Sequence, residues 1–125
     1  IRLARQPVGE HNWTRLLRGN IAGASPIVPR LLAQEAGGFD ESIRRGQDWD
    51  FNLRCSRITQ KFEVLPIKSH ISCVSTQRSR ISNQLNPWRQ YARILAKHQE
   101  HVNLHTRVHW FAKRFAEATK VKRLG

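Results

Sequence analysis

Apolar positions along the chain fall into short clusters separated by glycine, proline and polar runs. Trp13, Leu16 and Leu17 recur at i, i+3 and i+4 and predict a short helix over residues 10–18. Asn20 and Gly23 then punctuate the chain. Ser25-Pro26-Ile27-Val28 is a short apolar run bounded by prolines, which predicts a brief strand at a sheet edge or strand end. From Arg30 to Ala36, the positions of Leu31, Leu32 and Glu35 give a helical period. Gly37 stands where a left-handed residue closes such a helix, and Gly38 permits the turn beyond it. Phe39 to Gly46 is a loop, acidic first and then basic. A helix follows from Asp48 to near Thr59, with Trp49, Leu53 and Ile58 expected inward and Phe51 and Cys55 beside them. Asp48 and Asp50 fall in its first turn, where the helix dipole favours carboxylates.

The alternation in Phe62-Glu63-Val64-Leu65-Pro66 predicts a strand, which Ile67 to Val74 continues or pairs with. Arg78 to Asn86 reads as a polar connection. Asn86-Pro87 then opens a helix, as an N-cap followed by proline at the first helical position. Trp88, Tyr91, Ala92, Leu95 and Val102 form its apolar stripe. Asn103 is a second N-cap, and Leu104, Val108, Phe111, Phe115 and Ala118 form a second stripe. The fold class expected is α/β, in the form of an α+β fragment: short strands and helices over 1–85, then a basic helical hairpin of two amphipathic helices over 86–125.

Composition narrows the class. A chain of 125 residues with 39% hydrophobic content and four Trp can build one small core and is not a disordered tail. It has no apolar run of the roughly 18 residues that a membrane-spanning helix needs. Its first residues, Ile1-Arg2-Leu3-Ala4-Arg5, lack the apolar stretch of a secretory leader. There is no Met, and the chain reads as a piece of a longer protein. Cys55 and Cys73 are too few for a disulfide framework and read as buried free thiols of a reducing, cytoplasmic setting. The net charge of +13 is uneven: residues 1–85 hold 13 Lys/Arg against 7 Asp/Glu, and residues 86–125 hold 9 against 2. Such a field attracts phosphate-bearing partners without choosing among nucleotides, nucleic acid and anionic lipid.

The densest chemistry lies in Gly37-Gly38-Phe39-Asp40-Glu41 and, shortly after, Gly46-Gln47-Asp48-Trp49-Asp50-Phe51-Asn52-Leu53-Arg54. A glycine turn and an acidic loop leading into a helix that starts on carboxylates can hold one carboxylate at a pocket mouth. The same residues also fit a plain reading, in which the glycines end one helix and the acids merely decorate the start of the next.

These segments resemble the acceptor-side motif of family 2 glycosyltransferases, inverting enzymes with a GT-A fold, in which a GGFDE segment precedes an (E/D)D-W-D-hydrophobic-x-x-R helix start. Ser25 to Arg30 matches the family's strand ending in a basic residue, and Lys61-Phe62-Glu63-Val64-Leu65-Pro66 its K/R-F-x-x-hydrophobic-P strand. The likeness covers about residues 10–85 and makes them the second half of a GT-A type sheet. It implies transfer of a sugar from a nucleotide-sugar to an acceptor hydroxyl, with Asp48 as catalytic base and with Gly38, Asp40, Gln47, Trp49 and Asp50 on the acceptor side. Trp49 reads either as a platform for a sugar ring or as a core residue. Gln47 stands where the family has an acid. In the family's later Y-R-x-H-x-x-S-x-S segment, Gln77 takes the histidine position and Ser82 that of the last serine, with His70 seven residues earlier. The family's Asp-x-Asp, which binds Mg²⁺ or Mn²⁺ with the donor diphosphate, belongs to an N-terminal half outside these residues, so no metal ligand is assigned here. The implied partners are a nucleotide-sugar, a sugar or lipid-linked acceptor, and a donor-side half or a second copy of the chain. This piece alone is expected to be inactive.

His98, His101, His105 and His109 lack a completing Cys or carboxylate and read as solvated histidines rather than a zinc site. Trp110, Phe111 and Phe115 beside Lys113, Arg114, Lys120, Lys122 and Arg123 fit a helix lying at the inner face of an anionic membrane, or one packed on its own domain. The alternative to an enzyme is a basic module that binds nucleic acid or a membrane surface. The absence of a groove-reading helix or an RNP pattern counts against nucleic acid.

Overall fold

The computed structural model describes residues 8–22, 26–66, 87–110 and 112. They form a mixed α and β arrangement: β1 (Gly9–Asn12), a 3-10 helix (Trp13–Arg18), α1 (Arg30–Glu35), α2 (Gln47–Thr59), β2 (Lys61–Val64), α3 (Pro87–Lys97), a 3-10 turn (Gln99–His101) and a helical segment over residues 104–110. Strands β1 and β2 pair antiparallel, Gly9 opposite Val64 and Asn12 opposite Lys61. The strand expected at residues 25–28 is absent from the described part, 26–28, where Ile27 is almost fully exposed. The readings placed on residues 67–86, including Cys73, His70, Gln77 and Ser82, lie outside the described residues, as do Phe115 and Ala118.

The first predicted helix divides in two. Its opening residues are drawn into β1 by pairing with a strand some fifty positions later, a partner no local window reveals. Asn12 then caps the 3-10 helix, its Oδ1 accepting from the Thr14 N–H at 3.0 Å. The apolar face behaves as expected: Leu16 and Leu17 are buried and Trp13 packs against them.

α1 ends as the glycine pair requires. The Gly38 N–H donates to the Ala33 carbonyl and the Gly37 N–H to the Gln34 carbonyl, both at 3.0 Å, with both glycines left-handed. These are the paired bonds of a Schellman cap, and they satisfy carbonyls the helix end leaves open.

α2 is enclosed on most sides. Trp49, Asp50, Phe51, Asn52, Leu53, Cys55 and Ser56 are all buried. Ile58 is not: it lies nine residues, two and a half turns, beyond Trp49, which puts it on the opposite face, and it is 40% exposed. In α3 the inward positions are Ile94 and, in part, Tyr91 and Leu95, whereas Ala92 is exposed. Helix α3 stops at Lys97, so Val102 reaches the core from an extended residue and not from the helix stripe.

Asn103 does cap the final helical segment, its Oδ1 accepting from the Thr106 N–H at 2.8 Å. The face that packs is Val102, Thr106 and Trp110; the expected stripe residues Leu104 and Val108 are exposed. The reason is the indole of Trp110, which stacks on Trp49 with centroids 4.9 Å apart and donates its N–H to the Leu17 carbonyl. The indole of Trp49 donates to the neighbouring Leu16 carbonyl at 2.6 Å. Two tryptophans thus satisfy consecutive carbonyls of the 3-10 helix while filling the core, and this fixes which way the last segment turns. Trp110 therefore faces the protein interior, not a membrane surface. Among the described residues no helix is long and apolar enough to cross a membrane.

Candidate functional site

The two sequence segments singled out above are knitted together by their own residues. Phe39 stacks on Phe51, with ring centroids 4.6 Å apart. The Arg54 guanidinium bridges from α2 to the end of α1, donating to the Ala36 carbonyl. A Cβ at Gly37 would meet the same guanidinium at an ordinary contact distance of 3.7 Å, so the need for glycine there comes from the left-handed backbone. Asp40 closes its loop as an Asx turn: its Oδ1 accepts from the Ser42 N–H at 2.9 Å and from the Ser42 hydroxyl at 2.7 Å. Its Oδ2 accepts from Lys97 at 2.7 Å. The Lys97 ammonium, followed by the two Ser42 donors, holds the Asp40 carboxyl well below the usual carboxylate range.

Asp50 lies at the centre of this assembly and is fully buried. Its Oδ1 is 2.8 Å from His98 Nε2, and its Oδ2 accepts from Lys97 at 3.1 Å and from Arg54 Nε at 2.9 Å. Arg54 Nη2 lies 2.8 Å from the same oxygen, a close ionic contact whose N–H is not aligned for a hydrogen bond. Burial pushes this carboxyl upward, but the hydrogen bonds from His98 and Lys97 and the charge of Arg54 outweigh it, and the net displacement is downward. His98 is 2% exposed, so it is not one of the solvated histidines; His101, His105 and His109 are exposed.

Asp48 is placed differently. It is partly exposed in the first turn of α2, and its Oδ2 accepts from the Asn20 side-chain amide at 2.8 Å. The Asn52 amide donates in turn to Asn20 Oδ1 at 3.0 Å. This relay from inside α2 orients Asn20, and through it the Asp48 carboxylate. Gly46, immediately before the helix, is left-handed, and a Cβ there would lie 2.8 Å from Ile94 Cδ1. Any larger residue there would force the Ile94 side chain to shift as well as straining the left-handed backbone, at the point where α3 packs against the start of the helix that carries Asp48.

The residues assigned to an acceptor thus separate into two groups. Gln47 is exposed, and Asp48, Gly38 and Asp40 are partly exposed. Trp49 and Asp50 are enclosed, at 3% and 0% exposure, and lie behind the exposed members of the set. The platform role for Trp49 gives way to the core role because Leu16, Tyr91 and Trp110 surround its indole. Asp48 and Asp50, although they spell Asp-x-Asp, turn to different partners and do not form a shared ligand pair. Among the described residues no three His, Cys, Asp or Glu come together to suit a metal ion.

The sequence gives no functional signal for Asn20, Asn52 or Lys97, and it misplaces His98 among the solvated histidines. Asn20 and Asn52 stand 28 and 4 residues from Asp48, and nothing local marks them. Lys97 ends α3 and His98 is the turn residue after it, in a basic stretch whose charge suggests only a solvated surface. No known family, curated protein or solved structure matches the chain.

Proposed function

We propose that the chain is the acceptor-side part of an inverting, bacterial-type glycosyltransferase of GT-A fold, in which Asp48 removes the proton from the acceptor hydroxyl. The observation that carries the reading is the division of labour among the three aspartates of the two motif segments. Asp40 is held by Ser42 and Lys97, and Asp50 is buried among three cationic or proton-bearing side chains. Asp48 is accessible and has one oxygen steered by Asn20, which leaves its other oxygen for a substrate proton. A base so held contributes about 10²–10⁴-fold to the transfer step. In the reaction, the acceptor oxygen attacks the anomeric carbon as its proton passes to Asp48, and the bond to the nucleotide diphosphate breaks on the opposite face. Alignment of acceptor and donor supplies a further part of the rate.

The motif's other residues, on this reading, build the frame. Gly37, Gly38, Phe39 and Asp40 shape a turn fixed by Arg54, Phe51 and Lys97, and Gly46 admits α3. The donor and its divalent cation belong to residues outside those described, and no step here runs through a metal. Ile27 and Leu31, 93% and 79% exposed, offer apolar surface for a donor-side half or a second copy of the chain. A cytoplasmic location, peripheral to the membrane where a lipid-linked acceptor is used, accords with this role.

The test is a screen of the complete polypeptide against nucleotide-sugars, reading nucleotide release and the anomeric configuration of any product. Release that depends on an added acceptor, with inverted product, supports the proposal. Retention of configuration, or specific oligonucleotide binding that persists above about 0.2 M salt without any transfer, contradicts it.

A further inference from the structure

A concave site adjoins Asn20. Arg15, Arg18, Gly19, Asn20, Ile21 and His109 line an open pocket of about 390 Å³. Its cationic character follows from local geometry. Arg15 and Arg18 are three apart in a 3-10 helix, where side chains at i and i+3 eclipse, so both guanidiniums rise from one face. His109 comes from the helical segment 104–110, which the neighbouring Trp110 ties to the 3-10 helix by donating to the Leu17 carbonyl. Two arginines and an imidazole are thereby brought to one concavity by a buried contact and not by chance mobility.

Charges of one sign gathered in this way call for a counter-ion. Among the described residues no carboxylate pairs with Arg15 or Arg18: the ion pairs involve Lys61 with Glu10, Lys97 with Asp40 and Asp50, and Arg54 and His98 with Asp50. The one carboxylate linked to the pocket is Asp48, through Asn20, whose amide already answers it. Guanidinium forks match the oxygens of a phosphoryl group in pairs, and an imidazole N–H adds a further donor.

We propose that this pocket binds a phosphoryl group, with Arg15 and Arg18 as the principal ligands and His109 as the third. The proposal concerns binding alone and stands whether or not Asp48 is a catalytic base.

The test is a titration of the full chain with inorganic phosphate and with pyrophosphate, followed by amide and side-chain NMR shifts at about physiological salt, where long-range attraction is screened. Saturable shifts centred on Arg15, Arg18, Asn20 and His109 are expected. The exposed double substitution Arg15→Gln with Arg18→Gln weakens binding at least about ten-fold, and Arg44→Gln, equally exposed but outside the pocket, changes it less than about two-fold. The pair Arg15→Lys with Arg18→Lys keeps the charge and removes the forks, and it weakens binding several-fold. Glycerol phosphate and a short-chain phosphatidic acid, titrated side by side, identify the source. Tighter binding of the second points to a lipid headgroup, equal binding points to a soluble phosphoester, and both support the pocket. No saturation by about 10 mM phosphate, or equal losses in the Gln pair and in Arg44→Gln, overturns it.

Discussion

Replacing Asp50 by Asn isolates the charge at the centre of the fold with almost no change of volume. Three donors, Arg54 Nε, Lys97 Nζ and His98 Nε2, lie within 3.1 Å of its carboxylate. A hydrogen bond to a charged group contributes about 1 kcal/mol more than a neutral one, so three such contacts amount to roughly 3 kcal/mol. The amide also turns one N–H₂ toward a donor, and breaking a buried ion pair on one side costs about 3–5 kcal/mol. An expected loss of about 3 kcal/mol is a large share of the 5–15 kcal/mol that holds a typical domain together, and for a chain of this size it lowers Tm by about 10 °C. Urea unfolding followed by tryptophan fluorescence is a suitable assay, because Trp49 and Trp110 are buried against each other. The pH dependence has a definite sign. The folded-state pKa of Asp50 is depressed, so its contribution is complete above the ordinary carboxylate value of 3.8 and is lost as pH falls through the lower folded value. The gap between wild type and Asp50→Asn therefore narrows below about pH 4. An Asp50→Asn protein within about 0.5 kcal/mol of wild type at pH 7 would refute the claim that this carboxylate joins α2 to α3.

Other expectations rest on independent contacts. Gly46→Ala meets both a left-handed backbone and Ile94 at 2.8 Å and loses about 2–3 kcal/mol in the same unfolding assay, whereas Gly38→Ala, with open space around its Cβ, loses about 1 kcal/mol. Trp110→Ala removes the stack on Trp49 and loses about 3–5 kcal/mol, with a red shift of the remaining tryptophan emission. Burial raises the Cys55 thiol above its usual range, so in a Cys73→Ser background the native protein reacts slowly with a disulfide reagent at pH 8 and rapidly once unfolded.

The parts of the fold that local patterning made legible are those decided by local chemistry. The end of α1 at Gly37-Gly38, the start of α2 near Asp48, the strand at Phe62 to Val64 and the cap at Asn103 all follow from residues within four positions of one another. The errors arose where a distant partner decides. Glu10 to Asn12 read as helix because the competing strand lies at Lys61 to Val64. Leu104 and Val108 read as the buried stripe because the docking of Trp110 on Trp49 and Leu17 cannot be seen from spacing. At the candidate site, the acidic residues were visible but their roles were not. Asp48 and Asp50 are equivalent as letters two apart in one helix, and they diverge because α3 brings Lys97 and His98 to one while Asn20 reaches the other. A buried carboxylate network drawn from three elements has no signature in any single segment.

The most direct test of the central proposal is the effect of Asp48→Asn on the complete polypeptide, with transfer and donor binding measured side by side. The account predicts that transfer falls by about 10²–10⁴-fold while nucleotide-sugar affinity stays within about two-fold and stability within about 1 kcal/mol of wild type. Transfer retained above about one tenth of the wild-type rate would contradict the assignment of Asp48 as the base.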